Sequence, residues 1–397
     1  MSGPNSITDG GSSGMGQELP GVGNSVRGTD AVPTEQGRTA DGEDGRGRDR
    51  GGRRKGGGRR GGRGRAEELM VPEAEFTSYY GRQVVKPAPW GEDVPAYLFL
   101  GGLAAGSSLL GAGADLTGRP TLRRAGRLAA LTAITLSLLA LVHDLGKPSR
   151  FLNMLRVVKP TSPMSVGTWI LSAYGPGVGV AGVAELAHLL PGGLGRIGRL
   201  LDLVARPAGF GSALVAPAVA SYTGVLLSDT ATPAWHTAHR ELPFVFAGSA
   251  AAASGGFGML AAPVAQAGPA RRLAVGGAFV ELAVEHVMEH SMGLAAETLH
   301  EGKAGRLMKA SKGLTAAGAL GAALLGGRSR AAAAASGLAL MAGSACTRFG
   351  VFDAGLESAK DPKYTVVPQR ERLNRRLAEH GDAAVSETSA PAAPYLG

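Results

Sequence analysis

The chain has 397 residues, 44% of them hydrophobic and 5% aromatic, with 41 Lys and Arg against 32 Asp and Glu and a formal charge of +9. Cys346 is the single cysteine, which excludes an internal disulfide and a cysteine-held cluster. A mean hydropathy of +0.06 would suit a soluble protein, but it averages a Gly- and Arg-rich start with repeated apolar runs of about 20 residues, the length that crosses a hydrocarbon core of roughly 30 Å.

Residues 1–65 read as a disordered tail, poor in aromatic and β-branched residues and ending in GRGRDRGGRRKGGGRRGGRGR at 45–65. Such a run can bind RNA or phospholipid; it is read as a solvated extension, with membrane lipid expected as a partner and no nucleic acid. The start MSGPNSITDGG has neither the basic region nor the apolar core of a secretory signal. Residues 66–93 form a juxtamembrane segment in which Tyr79, Tyr80 and Trp90 suit the interface.

Eight apolar spans follow, at 94–114, 126–145, 165–190, 208–228, 243–264, 273–299, 311–327 and 331–346. Residues 94–350 are therefore expected to form an all-α, polytopic transmembrane domain of about eight helices, and 351–397 a polar C-terminal tail. Small residues such as Gly102, Gly106, Ser107 and Gly111 recur at four-residue spacing, which allows helix backbones to approach closely in lipid. An even number of spans returns the C-terminus to the side of the N-terminus. The arginine-rich tail would be hard to translocate, so both termini are expected in the cytoplasm of a multi-pass protein of the cell membrane.

The stretch between the second and third spans, 143–169, is dense in polar residues. It contains His143, Asp144, four cations (Lys147, Arg150, Arg156 and Lys159), three prolines and Trp169. Counting spans places His143, Asp144, Trp90, Tyr97, Tyr222, Asp229, His236 and His239 on one face, whereas the opposite loops hold mainly Arg, Gly and Pro. Tyr222 and Asp229 are seven residues apart, about two helical turns. Ionisable groups at the edge of a bilayer are costly and usually functional, so these residues suggest a shallow pocket.

In the sixth span, His286, Glu289 and His290 have the spacing of an inverted zinc-peptidase motif, but no third ligand is evident and no metal site is expected. Glu281, Glu285 and Glu289 recur every fourth residue, which suits either a buried proton path or an ion-pair face. Paired histidines such as His143 and His290 leave a haem-binding electron-transfer subunit open as an alternative. An ion-coupled transporter is less favoured, because its polar groups would lie near the midplane rather than at one face.

The segments YLFLGGLAAGSSLL at 97–110, HDLGKPSRFLNMLRVVKPTSPMSVGTWIL at 143–171 and SYTGVLLSDTATPAWHTAHRELPFVFAGSAAAASGG at 221–256 resemble the NrfD/PsrC family, the membrane subunits of polysulfide-reductase-like molybdoenzyme complexes. The resemblance implies two four-helix bundles, no haem, and a site for quinone or menaquinone as exchangeable substrate near the face that meets a partner. The implied partners are a ferredoxin-like, four-cluster iron–sulfur subunit and a molybdopterin catalytic subunit, which carry the iron–sulfur and molybdopterin cofactors. The chain would then be a quinone-reactive anchor of an oxidoreductase complex, without catalysis alone. Tyr222 occupies the family's Tyr-Thr-Gly tyrosine and would hydrogen-bond a quinone carbonyl, with Tyr97 and Trp169 as further quinone-binding candidates. Tyr97 stands where the polysulfide-reductase type has a histidine, and Val94 where it has an asparagine, which moves the expected proton acceptor to Asp144, His143 or Asp229.

Overall fold

The computed structural model describes residues 83–189 and 195–380. The tail 1–65, most of the juxtamembrane segment including Tyr79 and Tyr80, and the end of the C-terminal tail lie outside the described residues.

The described residues are helical, without strands, in the order α1 (Asp93–Leu116), α2 (Pro120–Asp144), α3 (Arg150–Met154), α4 (Pro163–Ala187), α5 (Gly195–Ser228), α6 (Pro233–Thr237), α7 (Leu242–Ala261), α8 (Gly268–Ser291), a 3-10 helix (Gly293–Leu299), α9 (Gly302–Leu324), α10 (Arg330–Lys360) and α11 (Lys363–His380). Proline begins α2, α4 and α6, where its missing N–H is one the first turn leaves unpaired anyway. Gly118 at φ +66° and Gly302 at φ +57° make the reversals before α2 and α9 in a conformation open to glycine.

Five helices, α1, α2, α4, α5 and α7, are long and apolar enough to cross a membrane, and the chain is an all-α polytopic membrane protein. The remaining long helices, α8, α9 and α10, have 24, 23 and 31 residues, or about 36, 34 and 46 Å at 1.5 Å per residue. They carry more charge, yet they also expose large apolar side chains, including Phe279, Leu320 and Leu338. Hydropathy places the last spans at 311–327 and 331–346; the helices run 302–324 and 330–360. The difference lies in paired or buried charges that end an apolar run without ending a helix. Arg348 is fully buried within α10, and Lys303 in the first turn of α9 bridges Glu92 at 3.3 Å and Asp353 at 3.2 Å. The sixth span, read as continuous over 273–299, divides into α8 and the 3-10 helix.

Helices pack mainly as sequential antiparallel pairs, α1 with α2, α4 with α5, α7 with α8 and α9 with α10, and α1 and α7 join the first two pairs to the last two. That junction depends on small residues. A Cβ on Gly106 would fall 2.7 Å from Ser254 Cβ and collide with its hydroxyl, and one on Gly102 would fall 3.1 Å from Ala250 Cβ. Lipid supplies no hydrophobic drive for helix association, so this close van der Waals contact stands in its place.

On the face opposite the start of α1, Asp115 meets Arg123, Arg127 and Arg206, and Glu185 meets Arg123, Arg124 and Arg127, at 2.9–3.7 Å. These pairs tie α1, α2, α4 and α5 together at one end.

Gly106→Leu is expected to destabilise the protein by about 1–3 kcal/mol or more through overpacking, read as a lower thermal midpoint in detergent. Gly113→Leu on the same helix, where an added Cβ has no neighbour within 4 Å, should leave that midpoint nearly unchanged.

Candidate functional site

The antiparallel order brings the start of α1, the end of α2, the start of α4 and the end of α5 to one face. There they enclose a cavity of about 100 Å³ lined by Trp90, Tyr97, Asp144, Tyr222 and apolar side chains that include Val94, Met164, Leu171 and Leu226. Three residues from separate parts of the chain, Tyr97, Asp144 and Tyr222, therefore meet around one space. Both tyrosines are buried, at 3% and 7% exposure. The Tyr174 hydroxyl deeper in the bundle is taken by Ser108 at 2.7 Å, whereas those of Tyr97 and Tyr222, two residues that line the cavity, have no partner among the described residues.

The position of Tyr222 is set by its neighbours. Gly167 on α4 lies flat against the Tyr222 ring, so that an added Cβ would come within 2.9 Å of Cδ2 and closer still to Cε2. Two residues further on, Gly224 allows α5 to approach the start of α7, where a Cβ would meet Pro243 Cα at 2.7 Å. On the α1 side, the Tyr97 carbonyl accepts the Ser137 hydroxyl at 3.1 Å, fixing that turn against α2.

Asp144 ends α2 and accepts the Gly91 N–H through Oδ1 at 3.3 Å. Adjacent His143 turns to the water side and pairs with Asp93 Oδ2 at 2.7 Å. It is exposed and does not line the cavity. Asp229, just beyond α5, is also exposed and outside the lining; the two turns that separate it from Tyr222 carry it past the bundle. Trp169 stands outside too, half-exposed, its indole N–H donating to the Val157 carbonyl at 3.2 Å. Together with Ser165, which donates to the same carbonyl at 3.0 Å, it anchors the 143–164 loop. That loop presents Lys147, Arg150, Arg156 and Lys159 to solvent.

Sequence reasoning put Trp90 on this face without giving it a role in the site, and did not place Met154, Met164, Gly167 or Thr168 there. Trp90 lines the cavity and stacks on Trp235 with ring centroids 5.9 Å apart, and Trp235 packs on Phe352 at 5.6 Å. The cavity wall is thereby continuous with the core of the last four long helices. The cue in the sequence was the place of Trp90 just ahead of the first span.

The histidine motif of α8 does not converge. His286 and His290 lie on the exposed side with ring centroids 4.3 Å apart, whereas Glu289 turns inward to Lys312 at 2.6 Å. Among the described residues no group of three His, Cys, Asp or Glu side chains is arranged to hold a metal ion. His143 and His290, the pair considered for haem, pair through Nδ1 with Asp93 and the His286 carbonyl, respectively.

After the last long helix, Lys363 at the start of α11 pairs with Glu297 of the 3-10 helix at 3.0 Å. This hydrogen bond holds its ammonium above the usual lysine range. It ties α11, which exposes Arg370, Arg372, Arg375 and Arg376, to the face that bears the cavity.

A family model described as "Polysulphide reductase, NrfD" matches residues 82–284, which include every cavity-lining residue. The chain belongs to the NrfD family. The C subunit of the polysulfide reductase of Wolinella succinogenes is 31% identical over 178 residues, a match that covers 42% of this protein and 56% of that subunit. This NrfD protein thus spans little more than half the length of the curated relative it matches. Within the matched region, Tyr222 and the residues around the start of the first span, Trp90, Val94 and Tyr97, line the same cavity.

Gly167→Ala pushes a methyl group into the Tyr222 ring and should move the phenol while leaving the backbone in place. The expected outcome is normal yield and thermal midpoint together with altered fluorescence or accessibility of the cavity. A large fall in folded protein would mean that Gly167 serves helix packing instead.

Proposed function

We propose that this protein is the quinone-reactive membrane anchor of an oxidoreductase complex, exchanging electrons between the quinone or menaquinone pool and an iron–sulfur partner subunit that serves a molybdopterin enzyme. The observation that carries the reading is the convergence of two uncommitted phenols, Tyr97 and Tyr222, with the Asp144 carboxylate around one cavity at the membrane edge. Family membership and the similarity to a polysulfide reductase subunit support it. In the same reading α8, α9 and α10 also cross the membrane, giving eight spans in two four-helix groups, with both termini and the cavity face in the cytoplasm.

The residues fit a quinone head group. At about 100 Å³ the cavity is smaller than the roughly 300 Å³ or more typical of sites for drug-sized ligands. It suits a ring, with the half-exposed Met164 at its rim and Leu171 and Leu226 offering apolar surface to a tail. A bound quinone supplies the two-electron, two-proton chemistry. The chain's part is to hold and orient the ring and to move protons. Tyr222 donates its hydroxyl hydrogen to one ring oxygen, and Tyr97 bounds the opposite wall. Asp144 has one oxygen tied by the Gly91 N–H and uses the other to accept a proton released by quinol. The exposed His143–Asp93 pair, next to Asp144 in the chain, passes that proton to water.

The electrons leave to a cofactor in a docked partner. The 143–164 loop with its four exposed cations and the arginines of α11 border the cavity face, and their charge suits an acidic partner surface.

Tyr222→Phe retains the ring and deletes one donor, at a cost of about 0.5–1.5 kcal/mol for a typical hydrogen bond, so quinol affinity should fall roughly two- to twelve-fold. Asp144→Asn keeps the shape but removes the proton acceptor, so turnover should fall more than affinity. Both are read as quinol-dependent reduction of the partner's iron–sulfur centres, normalised to assembled complex. Unchanged affinity and turnover in both variants would remove this cavity as the quinone site.

A further inference from the structure

A second group of ionisable side chains is buried away from the cavity, where α8, α9 and α10 meet. Glu281 and Glu285 of α8 are 1% and 0% exposed, and Arg348 of α10 is 0% exposed. Glu289, one turn closer to the cavity-side end of α8, pairs with Lys312 of α9 at 2.6 Å, and the same ammonium lies 3.8 Å from Glu285. Each step from Glu289 to Glu285 to Glu281 is four residues, about 6 Å along the helix. The row therefore runs from near the membrane face to the middle of α8. His300, just past the 3-10 helix and half-exposed, stands 4.0 Å from Glu289 at the outer end. The sequences of α1 and α7 carry no charged residue at this depth.

Three features make this more than an acidic cluster. First, the charges do not balance: with His300 counted as neutral, three carboxylates face two cations, Lys312 and Arg348. An excess buried charge is expensive in an apolar bundle, and one proton removes it. Second, polar atoms are left without a partner among the described residues: both oxygens of Glu285, Oε2 of Glu281, Oγ1 of Thr315, and Nε and Nη1 of Arg348. Buried polar atoms of this kind are satisfied by water, and a hydrated row of carboxyls can conduct protons.

Third, the hydroxyls around Glu281 accommodate both protonation states. Thr347 Oγ1 is 2.6 Å from Glu281 Oε1, 2.6 Å from Ser311 Oγ and 3.1 Å from the Gly343 carbonyl, yet it has one hydrogen to give. With Glu281 ionised, Thr347 donates to the carboxylate. With Glu281 protonated, the carboxyl donates to Thr347, whose own hydrogen turns to Gly343. The cost of switching is a rotation of one hydroxyl.

We infer that Glu281 and Glu285 form a buried proton-exchange site, loaded from the cavity-side face through Glu289 and Lys312 and distinct from the cavity itself. A proton enters from water at Glu289 and moves inward through the hydrated row, one O–H bond forming as another breaks. It leaves by the same balance, and the net charge of the group alternates between −1 and 0. A metal cation is a poorer occupant, because Lys312 and Arg348 already place two positive charges beside the carboxylates.

The test is infrared difference spectroscopy of the intact purified complex during exchange from H2O to D2O, which requires no assumption about quinone chemistry. The wild type should show the carbonyl stretch of a protonated carboxylic acid at neutral pH, shifted by deuteration and insensitive to added sodium. Glu285→Gln or Glu281→Gln should abolish or displace that band, Glu289→Gln should retain it and slow its deuteration several-fold, and exposed Glu357→Gln should change neither. Should a Gln variant fail to assemble, Glu285→Asp, which retracts the carboxyl by one methylene, should shift the band. A spectrum with no protonated acid would overturn the inference, as would a band unaltered by substitution at 281 and 285 or one removed by sodium.

Discussion

Helix α1 approaches α7 closely enough for Gly106 to lie against Ser254 and Gly102 against Ala250, and the polar groups of the molecule are arranged around that seam. From one end to the other, α1 presents Tyr97 to the cavity, Gly102 to the Arg348 guanidinium, Ser108 to the Tyr174 hydroxyl and Asp115 to the arginines of the far face. A larger side chain at the seam would force the two groups of helices apart. Packing between small residues is thus the condition under which the buried polar groups can find one another, since lipid contributes little to helix association.

The two membrane faces treat their charges differently. At the far face Asp115 and Glu185 are enclosed by arginines, and the result is a set of clamps between neighbouring helices. At the cavity face, the Tyr97 and Tyr222 hydroxyls have no partner among the described residues, and Asp144 accepts the Gly91 N–H. Buried groups with spare hydrogen-bonding capacity are costly to keep, and a site that binds an exchangeable molecule must keep some. The contrast is between closed salt bridges at one end and an open pocket at the other.

Much of this was legible in the sequence. The apolar runs marked out the long helices, and counting them put Tyr97, Asp144 and Tyr222 on one face, where the cavity brings them together. Helical spacing could not decide what lies across a boundary. Asp229 shares a helical row with Tyr222 but falls beyond Ser228, where α5 ends and the backbone leaves the bundle. Trp169 is next to the cavity-lining Thr168 but points the other way on α4. Gly167 was invisible as a site residue because its contribution is the absence of a side chain. Arg348 was hidden for a different reason: a lone cation inside an apolar stretch shortens a hydropathy span, and only the packing of α8 against α9 and α10 reveals the acids that compensate it.

The same geometry connects the two titratable regions. Arg348 abuts α1 at Gly102, five residues or about 7.5 Å along the axis from Tyr97. Two unit charges about 10 Å apart at an effective dielectric of ~20 interact by about 1.7 kcal/mol, more than a tenfold factor in an equilibrium constant. If the two regions act as proposed, a proton gained by the Glu281 and Glu285 group and a charge developing at Asp144 would bias one another, because such coupling is reciprocal. Its sign follows from Coulomb's law: neutralising the excess negative charge of the inner group makes an ionised carboxylate at the cavity easier to sustain. In that reading, proton occupancy within α8 and proton release at the membrane edge would be linked electrostatically, without any movement of the backbone.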